Sequence, residues 1–243
     1  MSQKPCIQTF LWSTYRYMED TEAIKKALGE KAAHLIQDGM IVGLGSGTTS
    51  QYFIDSLIER CKDGLSISAV SSSEESLKHA QKGGIKTYPL NEATHIDITI
   101  DGADEMDPKK RMIKGGGGCH LQEKILAYNS KEMIVIIDES KLSEKLGHKK
   151  LPVEVVYFGA TFTERTLREK GYQGFFRKND EGTLFFTENA NLLYDIEFES
   201  PLDNPEDIHH DIMMIPGVVD TGFFFNLAGR TLVGFFDGRI ETH

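Results

Sequence analysis

Apolar residues in the first 150 positions recur in two alternating patterns. Short apolar runs alternate with stretches in which apolar residues return at the spacing of one face of an α-helix. The runs predict strands near 40–42 and over 65–70, 85–90, 95–100 and 133–137, and the spaced stretches predict helices over 19–39, 52–58, 74–81 and 121–127. Strands without polar alternation, separated by helices, are typical of a mostly parallel sheet covered on both faces. We therefore expect an α/β fold.

The pattern changes after Gly147. The segments that follow predict the order strand, helix, strand, strand, helix, strand, over 152–158, 163–170, 172–177, 183–198 (with a break at 187–190), 205–214 and 218–225. This βαββαβ order is typical of a small α+β domain, and a last predicted strand over 232–236 returns to the first domain. We therefore divide the chain into an N-terminal extension at 1–18, a first domain at 19–147 that 226–243 rejoins, and a small domain at 148–225.

Composition and charge exclude several kinds of partner. The chain of 243 residues carries 27 Lys and Arg against 37 Asp and Glu, a formal net charge of −10. Nucleic acids and acidic membranes attract proteins with a positive field, so neither is an expected partner. The three cysteines are too few and too widely spaced for a disulfide framework. No signal peptide or membrane-spanning stretch is evident, and we expect a cytoplasmic protein.

The glycine-rich turn at 43–49 is the first candidate for chemistry. It lacks the lysine of a phosphate-binding P-loop, and Thr48 stands where a dinucleotide fingerprint needs its third glycine. What remains is a strand end that opens onto a helix N-terminus, where amides and hydroxyls can bind an oxyanion. A tight turn that simply requires glycine explains the same residues, and the sequence leaves both interpretations open.

A second candidate follows the predicted strand that ends at Ile100. Asp101 and Asp104 could bind a metal, share a proton or hydrogen-bond sugar hydroxyls, or they could form an ordinary acidic turn. Lys114 and four consecutive glycines at 115–118 come next, and Glu123 lies on the following helix. Four glycines are expected where backbone must approach a ligand or adopt a strained turn.

Two other pairs of reactive side chains are better explained structurally. Cys119 and His120 are adjacent on a helix and do not face each other, which argues against a thiol–imidazole pair. His209 and His210 lie on a predicted helix without further metal ligands, and we expect them on a solvated face.

Taken in order, these motifs resemble the ribose-5-phosphate isomerase A family. The matching stretches are GLGSGTTS (43–50), SSS (71–73), DGADEMD (101–107), KGGGGCHLQEKI (114–125), DESK (138–141), LPVEV (151–155) and IPGVV (215–219). The resemblance implies a Rossmann-like, mostly parallel sheet flanked by helices, with a smaller ferredoxin-like α+β lobe. It also implies an aldose–ketose isomerase that uses neither metal nor cofactor and assembles as a homodimer or dimer of dimers.

The resemblance also implies roles for individual residues. Glu123 matches the general base, and Asp101, Asp104 and Lys114 match residues that handle the sugar hydroxyls and the enediolate charge. The implied substrate-binding residues are Lys25, Ser46, Gly47, Thr48, Thr49, Asp101, Gly102, Ala103, Asp104, Lys114, Gly115, Gly116, Gly117 and Lys141. Cys119 and His120 depart from the family, which usually has a small and then an apolar residue there.

Two rival functions start from related folds. A sugar-phosphate-sensing repressor domain would require a DNA-binding segment, for which 1–18 is too short, and has no need of a base at Glu123. The second rival is another enzyme of the same superfamily, such as a sugar-phosphate lactonase, an aminosugar-phosphate deaminase or a CoA transferase. The combination of DGAD (101–104) and KGGGG (114–118) argues against these three.

Overall fold

The computed structural model describes residues 21–243, so the extension predicted at 1–18 lies outside the described residues. The described part contains six α-helices and fourteen strands. The helices are α1 (21–33), α2 (Gly47–Lys62), α3 (Glu74–Lys82), α4 (His120–Tyr128), α5 (Ala160–Glu169) and α6 (Pro205–Met213). The strands are β1 (Ile41–Leu44), β2 (Ser68–Ser71), β3 (Lys86–Thr87), β4 (Ile98–Asp101), β5 (Glu105–Met106), β6 (Met112–Ile113), β7 (Met133–Asp138), β8 (Leu151–Val155), β9 (Gly174–Phe176), β10 (Leu192–Ile196), β11 (Val218–Thr221), β12 (Phe223–Phe224), β13 (Ala228–Gly234) and β14 (Ile240–Thr242).

Seven strands form the large sheet in the order β14-β13-β7-β4-β1-β2-β3, and every neighbouring pair is parallel except β13 with β14. Alternate residues of β7 face opposite sides of this sheet, as the pleat requires. Ile134 and Ile136 pack in the core that α1 and α2 cover, whereas Val135 and Ile137 pack with Phe224 on the other side. The Rossmann-like, mostly parallel sheet flanked by helices is therefore confirmed.

The strand predicted over 232–236 does return to the large sheet. It is β13, which begins four residues earlier than predicted and pairs in parallel with β7 from Thr231 opposite Val135 to Gly234 opposite Asp138. A Cβ atom on Gly234 would lie 2.4 Å from Cγ2 of Ile24, so glycine lets α1 pack directly on the strand. The edge strand β14, too short to show a pattern, was missed by sequence analysis.

The second half of the chain forms an antiparallel sheet in the order β11-β8-β10-β9, which we call the small lobe together with α5 and α6. Along the chain its elements follow the predicted βαββαβ order, and the sheet order is ferredoxin-like. The buried carboxylate of Glu105 joins the two parts of the chain by accepting hydrogen bonds from the backbone N–H groups of Gly147, His148 and Lys149, at 3.1, 3.2 and 3.0 Å. The domain boundaries themselves stay a prediction.

A third, three-stranded sheet corrects two predictions. The segment 101–118, where no strand or helix is predicted, contains β5 and β6, and the strand expected over 218–225 is split at Gly222 into β11 and β12. The backbone of Gly222 donates to the carbonyl of Pro152 (2.7 Å) and accepts from Lys114 (2.9 Å). The chain therefore leaves the small lobe at Gly222 and pairs with β6 instead.

Other predicted strands are shorter than the apolar pattern indicated. The strand expected over 85–90 has two residues, because a 3-10 turn begins at Leu90 directly after Pro89. The strands expected over 65–70 and 95–100 begin only at Ser68 and Ile98. Residues 183–186 make only isolated bridges, because the chain reverses nearby through a turn at Asn179–Thr183. Within 21–243, no helix combines the length and apolar character needed to cross a lipid bilayer.

Candidate active site

The carboxyl ends of β1 and β4 bring the two candidate motifs together. These strands are parallel neighbours, with Leu44 opposite Ile100, so Gly45 and Asp101 leave the sheet side by side. A Cβ atom on Gly45 would lie 2.2 Å from Cγ of Asp101, and only glycine permits so close an approach. The backbone N–H of Ser46 then donates to Oδ1 of Asp101 at 3.1 Å.

The helix α2 begins at Gly47, directly after this turn. Its first turn contains no acidic side chain, and the Ser46 hydroxyl does not cap it. Helix N-termini attract anions because their first N–H groups lack intrahelical acceptors. From α1, the ammonium group of Lys25 donates to the Thr48 hydroxyl at 3.0 Å and adds positive charge here. The N-terminus of α2 is therefore suited to an anionic ligand.

Lys114 is a buried lysine that contacts two buried carboxylates. Its Nζ atom lies 3.0 Å from Oδ2 of Asp101 and 3.0 Å from Oε2 of Glu123, and it donates to the carbonyl of Gly102 at 2.7 Å. The Lys114 residue is only 3% exposed, Asp101 1% and Glu123 4%. Lys114 follows β6 and also lies over the ring of Phe224, 5.4 Å from its centroid.

Glu123 is held by the first turn of α4, which follows the glycine run. Its Oε1 atom accepts a short hydrogen bond from the hydroxyl of Ser46, and its Oε2 atom faces Lys114. Both carboxylate oxygens therefore have a partner of positive or donor character. Such a carboxylate is fixed in one orientation, as a base that must reach a defined carbon atom would have to be.

Burial and the neighbouring charges together set protonation in this cluster. Burial raises the pKa of Asp101 to about 7, helped by the negative charge of Glu123 and opposed by Lys114. Burial alone would lower the pKa of Lys114, but the charges of Asp101 and Glu123 outweigh it and raise that pKa above its ordinary value. Lys114 is therefore a fixed positive charge at neutral pH, whereas Asp101 can exchange a proton there.

The glycine run at 115–118 forms a turn beside this cluster. The N–H of Gly118 donates to the carbonyl of Gly115 at 3.0 Å, and both residues have a positive φ, +88° and +101°. The N–H of Gly116 donates to Oδ2 of Asp104 at 2.7 Å. A Cβ atom on Gly116 would lie 2.8 Å from Oδ1 of Asp104, so the backbone approaches this carboxylate closely.

These groups surround one pocket of about 120 Å³. Its lining combines the turn at the start of α2, the loop after β4, the glycine run and four charged side chains from elsewhere. The lining residues are Lys25, Ser46, Gly47, Thr48, Thr49, Gly102, Ala103, Asp104, Lys114, Gly115, Gly116, Gly117, Glu123 and Lys141. All the predicted site residues except Asp101 line this pocket. Asp101 is buried and contacts Lys114, one of the lining residues.

Two residues that contact the site were not recognisable from the sequence. Phe224 lies under the ammonium groups of both Lys114 and Lys124, at 5.4 and 5.0 Å from the ring centroid. Arg177 of the small lobe donates to the carbonyls of Gly115 and Gly116. In the sequence, Phe224 is recognisable only as a core residue. Nothing in the sequence marks Arg177 as a residue of the site, because its partners are some sixty residues away in the chain.

The remaining candidate side chains have structural positions. Burial, together with the charge of Glu123, raises the pKa of Cys119 to about 12, so its thiol is protonated and unreactive near neutral pH. The ring of His120 is fully buried, and neither of its nitrogens has a hydrogen-bond partner among residues 21–243.

The prediction that His209 and His210 lie on a solvated face is wrong for His209. This residue is half-buried, hydrogen-bonds Thr221 and packs edge-on against Phe223. Over 21–243, no group of three or more acidic, His or Cys side chains is arranged to hold a metal ion.

Comparison with known proteins defines the class as an isomerase. The family model described as ribose 5-phosphate isomerase A (phosphoriboisomerase A) matches residues 68–238. The chain belongs to the ribose 5-phosphate isomerase A family, as the motifs indicated. It is 47% identical over 217 residues to ribose-5-phosphate isomerase A of Protochlamydia amoebophila, covering 89% of this chain and 94% of that one. The corresponding protein of Bacillus mycoides is 42% identical over 218 residues, covering 90% and 98%.

Solved structures agree with this assignment. The ribose 5-phosphate isomerase A of Methanocaldococcus jannaschii superposes with a TM-score of 0.86 at 36% identity, covering 92% of this chain and 99% of that one. The ribose 5-phosphate isomerase of Plasmodium falciparum gives a TM-score of 0.88 at 34% identity, covering 91% and 98%. Both similarities extend over the large sheet and the small lobe together.

Proposed function

We propose that this enzyme interconverts D-ribose 5-phosphate and D-ribulose 5-phosphate through an enediolate, with Glu123 as the general base. The observation that carries the proposal is the contact of Glu123 with Lys114 in a pocket that also contains the N-terminus of α2. A base, a fixed positive charge and an anion site are the three groups that this reaction needs.

Proton transfer falls to Glu123. Isomerisation removes a proton from C2 of the aldose and returns one to C1, so a single carboxylate between the two carbons suffices. Ser46 and Lys114 hold the two oxygens of Glu123. A base positioned in this way accelerates a reaction by about 10²–10⁴-fold.

Lys114 and the glycine run would stabilise the negative charge of the enediolate. The enediolate carries negative charge on oxygen, and a preorganised ammonium group or N–H donor lowers the energy of that state. Lys114 is held in place by Asp101 and the carbonyl of Gly102, so it needs no rearrangement when the charge develops.

The phosphate would bind at the N-terminus of α2, through Ser46 to Thr49, with Lys25 beside them. Lys141 would contact the substrate from the loop after β7, and Gly102 to Asp104 with Gly115 to Gly117 would contact the sugar. An anchored phosphate orients the reacting carbons. The lysines and the N-terminus of α2 offset the overall charge of −10 locally, so that this anion can bind.

Asp101 requires a modified role in this mechanism. Proton transfer at O5 and O1 during ring opening needs a group that faces the substrate, but Asp101 does not line the pocket. Asp101 would therefore act through Lys114, whose ammonium group it holds at 3.0 Å, rather than exchange a proton with the substrate itself. It also accepts hydrogen bonds from the backbone N–H groups of Ser46 and Gly102, which fix the loops of the site.

We further propose, from the family resemblance, that the enzyme acts in the cytoplasm as a homodimer or dimer of dimers and uses neither metal nor cofactor. Sedimentation of the purified protein would test the assembly, with a monomer as the contradicting result.

The test of the proposed reaction is ketopentose formation from ribose 5-phosphate in EDTA. The parent is compared with Glu123→Gln and with the control Glu181→Gln, which removes an exposed carboxylate of the small lobe. We expect an active parent and control, and a kcat about 10²–10⁴-fold lower in Glu123→Gln. An inactive parent, or a fully active Glu123→Gln, would overturn the proposal.

A further inference from the structure

Arg177 connects the small lobe to the glycine run. Its Nε and one terminal nitrogen donate to the two carboxylate oxygens of Asp195, at 2.8 and 2.6 Å. Its other terminal nitrogen donates to the carbonyls of Gly115 and Gly116, at 3.0 and 2.9 Å. The planar guanidinium is thus fixed by a bidentate ion pair on one side and holds two peptide groups on the other.

These two contacts determine which way the peptide N–H groups of the run point. The described residues contain no cis peptide bond, and in a trans peptide the N–H points opposite to the C=O. With the Gly115 carbonyl on Arg177, the N–H of Gly116 points away from the arginine, where it donates to Asp104. With the Gly116 carbonyl on Arg177, the N–H of Gly117 is likewise directed away from the arginine, and Gly117 lines the pocket.

A second contact from the small lobe restrains the end of the run. A Cβ atom on Gly118 would lie 2.7 Å from the ring of Phe185, and the Arg177 guanidinium lies 5.8 Å from the centroid of that ring. Glycine has more backbone freedom to lose than any other residue, so four in a row do not hold one conformation unaided. Arg177 and Phe185 supply that restraint from outside the run.

We propose that Arg177 is a positioning residue, which orients the glycine run so that the Gly117 N–H donates a hydrogen bond to the enediolate oxygen. This inference rests on the proposed function. A hydrogen bond to an oxygen strengthens as negative charge develops on it, so its loss lowers kcat more than it raises KM.

The experiment compares Arg177→Met and Arg177→Lys with a matched control, Arg168→Met. Arg168 lies in the same lobe, pairs with Glu164 and donates to the carbonyl of Gly174, and these partners lie outside the glycine run. Each variant is assayed for kcat and KM with ribose 5-phosphate and for inhibition by phospho-erythronic acid, the ligand in a solved structure of a D-ribose-5-phosphate isomerase. The carboxylate of this inhibitor stands in for the enediolate oxygens.

We expect kcat to fall about 10–100-fold in Arg177→Met and less in Arg177→Lys, with KM changing less than about threefold. Inhibitor affinity should fall with kcat, while Arg168→Met keeps the parental values. Parental kcat in Arg177→Met, or an equal loss in Arg168→Met, would overturn the inference. If Arg177→Met does not fold, unchanged kcat and inhibitor affinity in Arg177→Lys would do so, because one ammonium group cannot replace all four hydrogen bonds.

Failure of this inference is distinguishable from failure of the proposed function. An active parent, an inactive Glu123→Gln and an unimpaired Arg177→Met would reject the role of Arg177 alone. A parent that does not isomerise ribose 5-phosphate would reject both.

Discussion

The ammonium nitrogen of Lys114 lies 3.0 Å from a carboxylate oxygen of Glu123. The same nitrogen lies 3.0 Å from Asp101, so one buried cation serves two buried carboxylates. Removal of one member of such a cluster leaves an uncompensated charge in a region of low polarity, which is far more unfavourable than the loss of an exposed ion pair. Loss of any one member of the cluster is therefore expected to destabilise the folded enzyme.

Lys114→Met should impair both stability and activity. Two carboxylates would remain buried without their cation, and we expect the free energy of unfolding to fall by about 3–5 kcal/mol. We expect kcat to fall at least about 100-fold, because the charge facing the enediolate is lost. Urea denaturation and steady-state kinetics measure the two effects.

A double variant separates these two roles of Lys114. In Lys114→Met/Asp101→Asn, one of the two uncompensated carboxylates becomes a neutral amide, so part of the lost stability should return. The activity should not return, because no cation faces the substrate. Recovery of activity together with stability would contradict this role for Lys114.

The stability of the enzyme should depend on pH through Asp101. Its pKa is raised from 3.8 to about 7 in the folded protein, so between these values the folded state binds a proton that the unfolded state does not. The stabilisation from this proton is complete at low pH and is lost as the pH rises through about 7. Relative to Asp101→Asn, the free energy of unfolding of the parent should fall by up to about 1.4 kcal/mol per pH unit between about pH 5 and pH 7. Urea denaturation of both proteins across this range is the measurement, and a constant difference would contradict the prediction.

Ser46 and Thr48 should affect different kinetic constants, although they lie two residues apart. The Ser46 hydroxyl donates to Glu123, whereas the Thr48 hydroxyl accepts from Lys25 at the N-terminus of α2. We expect Ser46→Ala to lower kcat by about tenfold through a less well-oriented base. Thr48→Val should instead raise the KM for ribose 5-phosphate, with a smaller effect on kcat. Identical kinetic changes in both variants would contradict this division.

Two glycines that flank Asp101 in space should tolerate substitution very differently. A Cβ atom on Gly45 would lie 2.2 Å from Cγ of Asp101, whereas one on Gly102 would meet nothing closer than a carbonyl oxygen at 3.7 Å. Gly45→Ala should therefore destabilise the protein by about 1–3 kcal/mol, the range for an overpacked site. Gly102→Ala, the matched control, should leave the melting temperature nearly unchanged. Equal melting temperatures for the two variants would be evidence against the close approach.

Local sequence patterns predicted the elements of the site better than its contacts. The turn at 43–49, the acidic loop after Ile100 and the glycine run were recognisable because each breaks an apolar pattern with unusual residues. Parallel strands place such breaks at one edge of a sheet, and the resemblance to the family added the roles. The position of Asp101 beneath Lys114 could not be predicted, because it depends on how closely two strands and a loop pack.

The corrected elements have the same cause. The two-residue strands β5 and β6 are too short to show a period, and they exist because β12 pairs with β6 from far along the chain. The apolar run 218–225 does not reveal that Gly222 sends its two halves to different sheets. Pairing between segments that are distant in the chain determines these strands, and a local sequence pattern contains no information about that pairing.

The place of β13 in the large sheet bears on how the chain leaves the ribosome. All six residues of β7 are buried, yet the strand that covers one of its edges is made only after the entire small lobe. During synthesis, which proceeds from the N-terminus, this apolar edge stays open while residues 148–225 emerge. Open strand edges present unpaired N–H and C=O groups that can pair with other chains. A nascent chain paused before Ala228 would therefore expose a strand edge that is prone to aggregation. In the finished enzyme, β13 covers this edge.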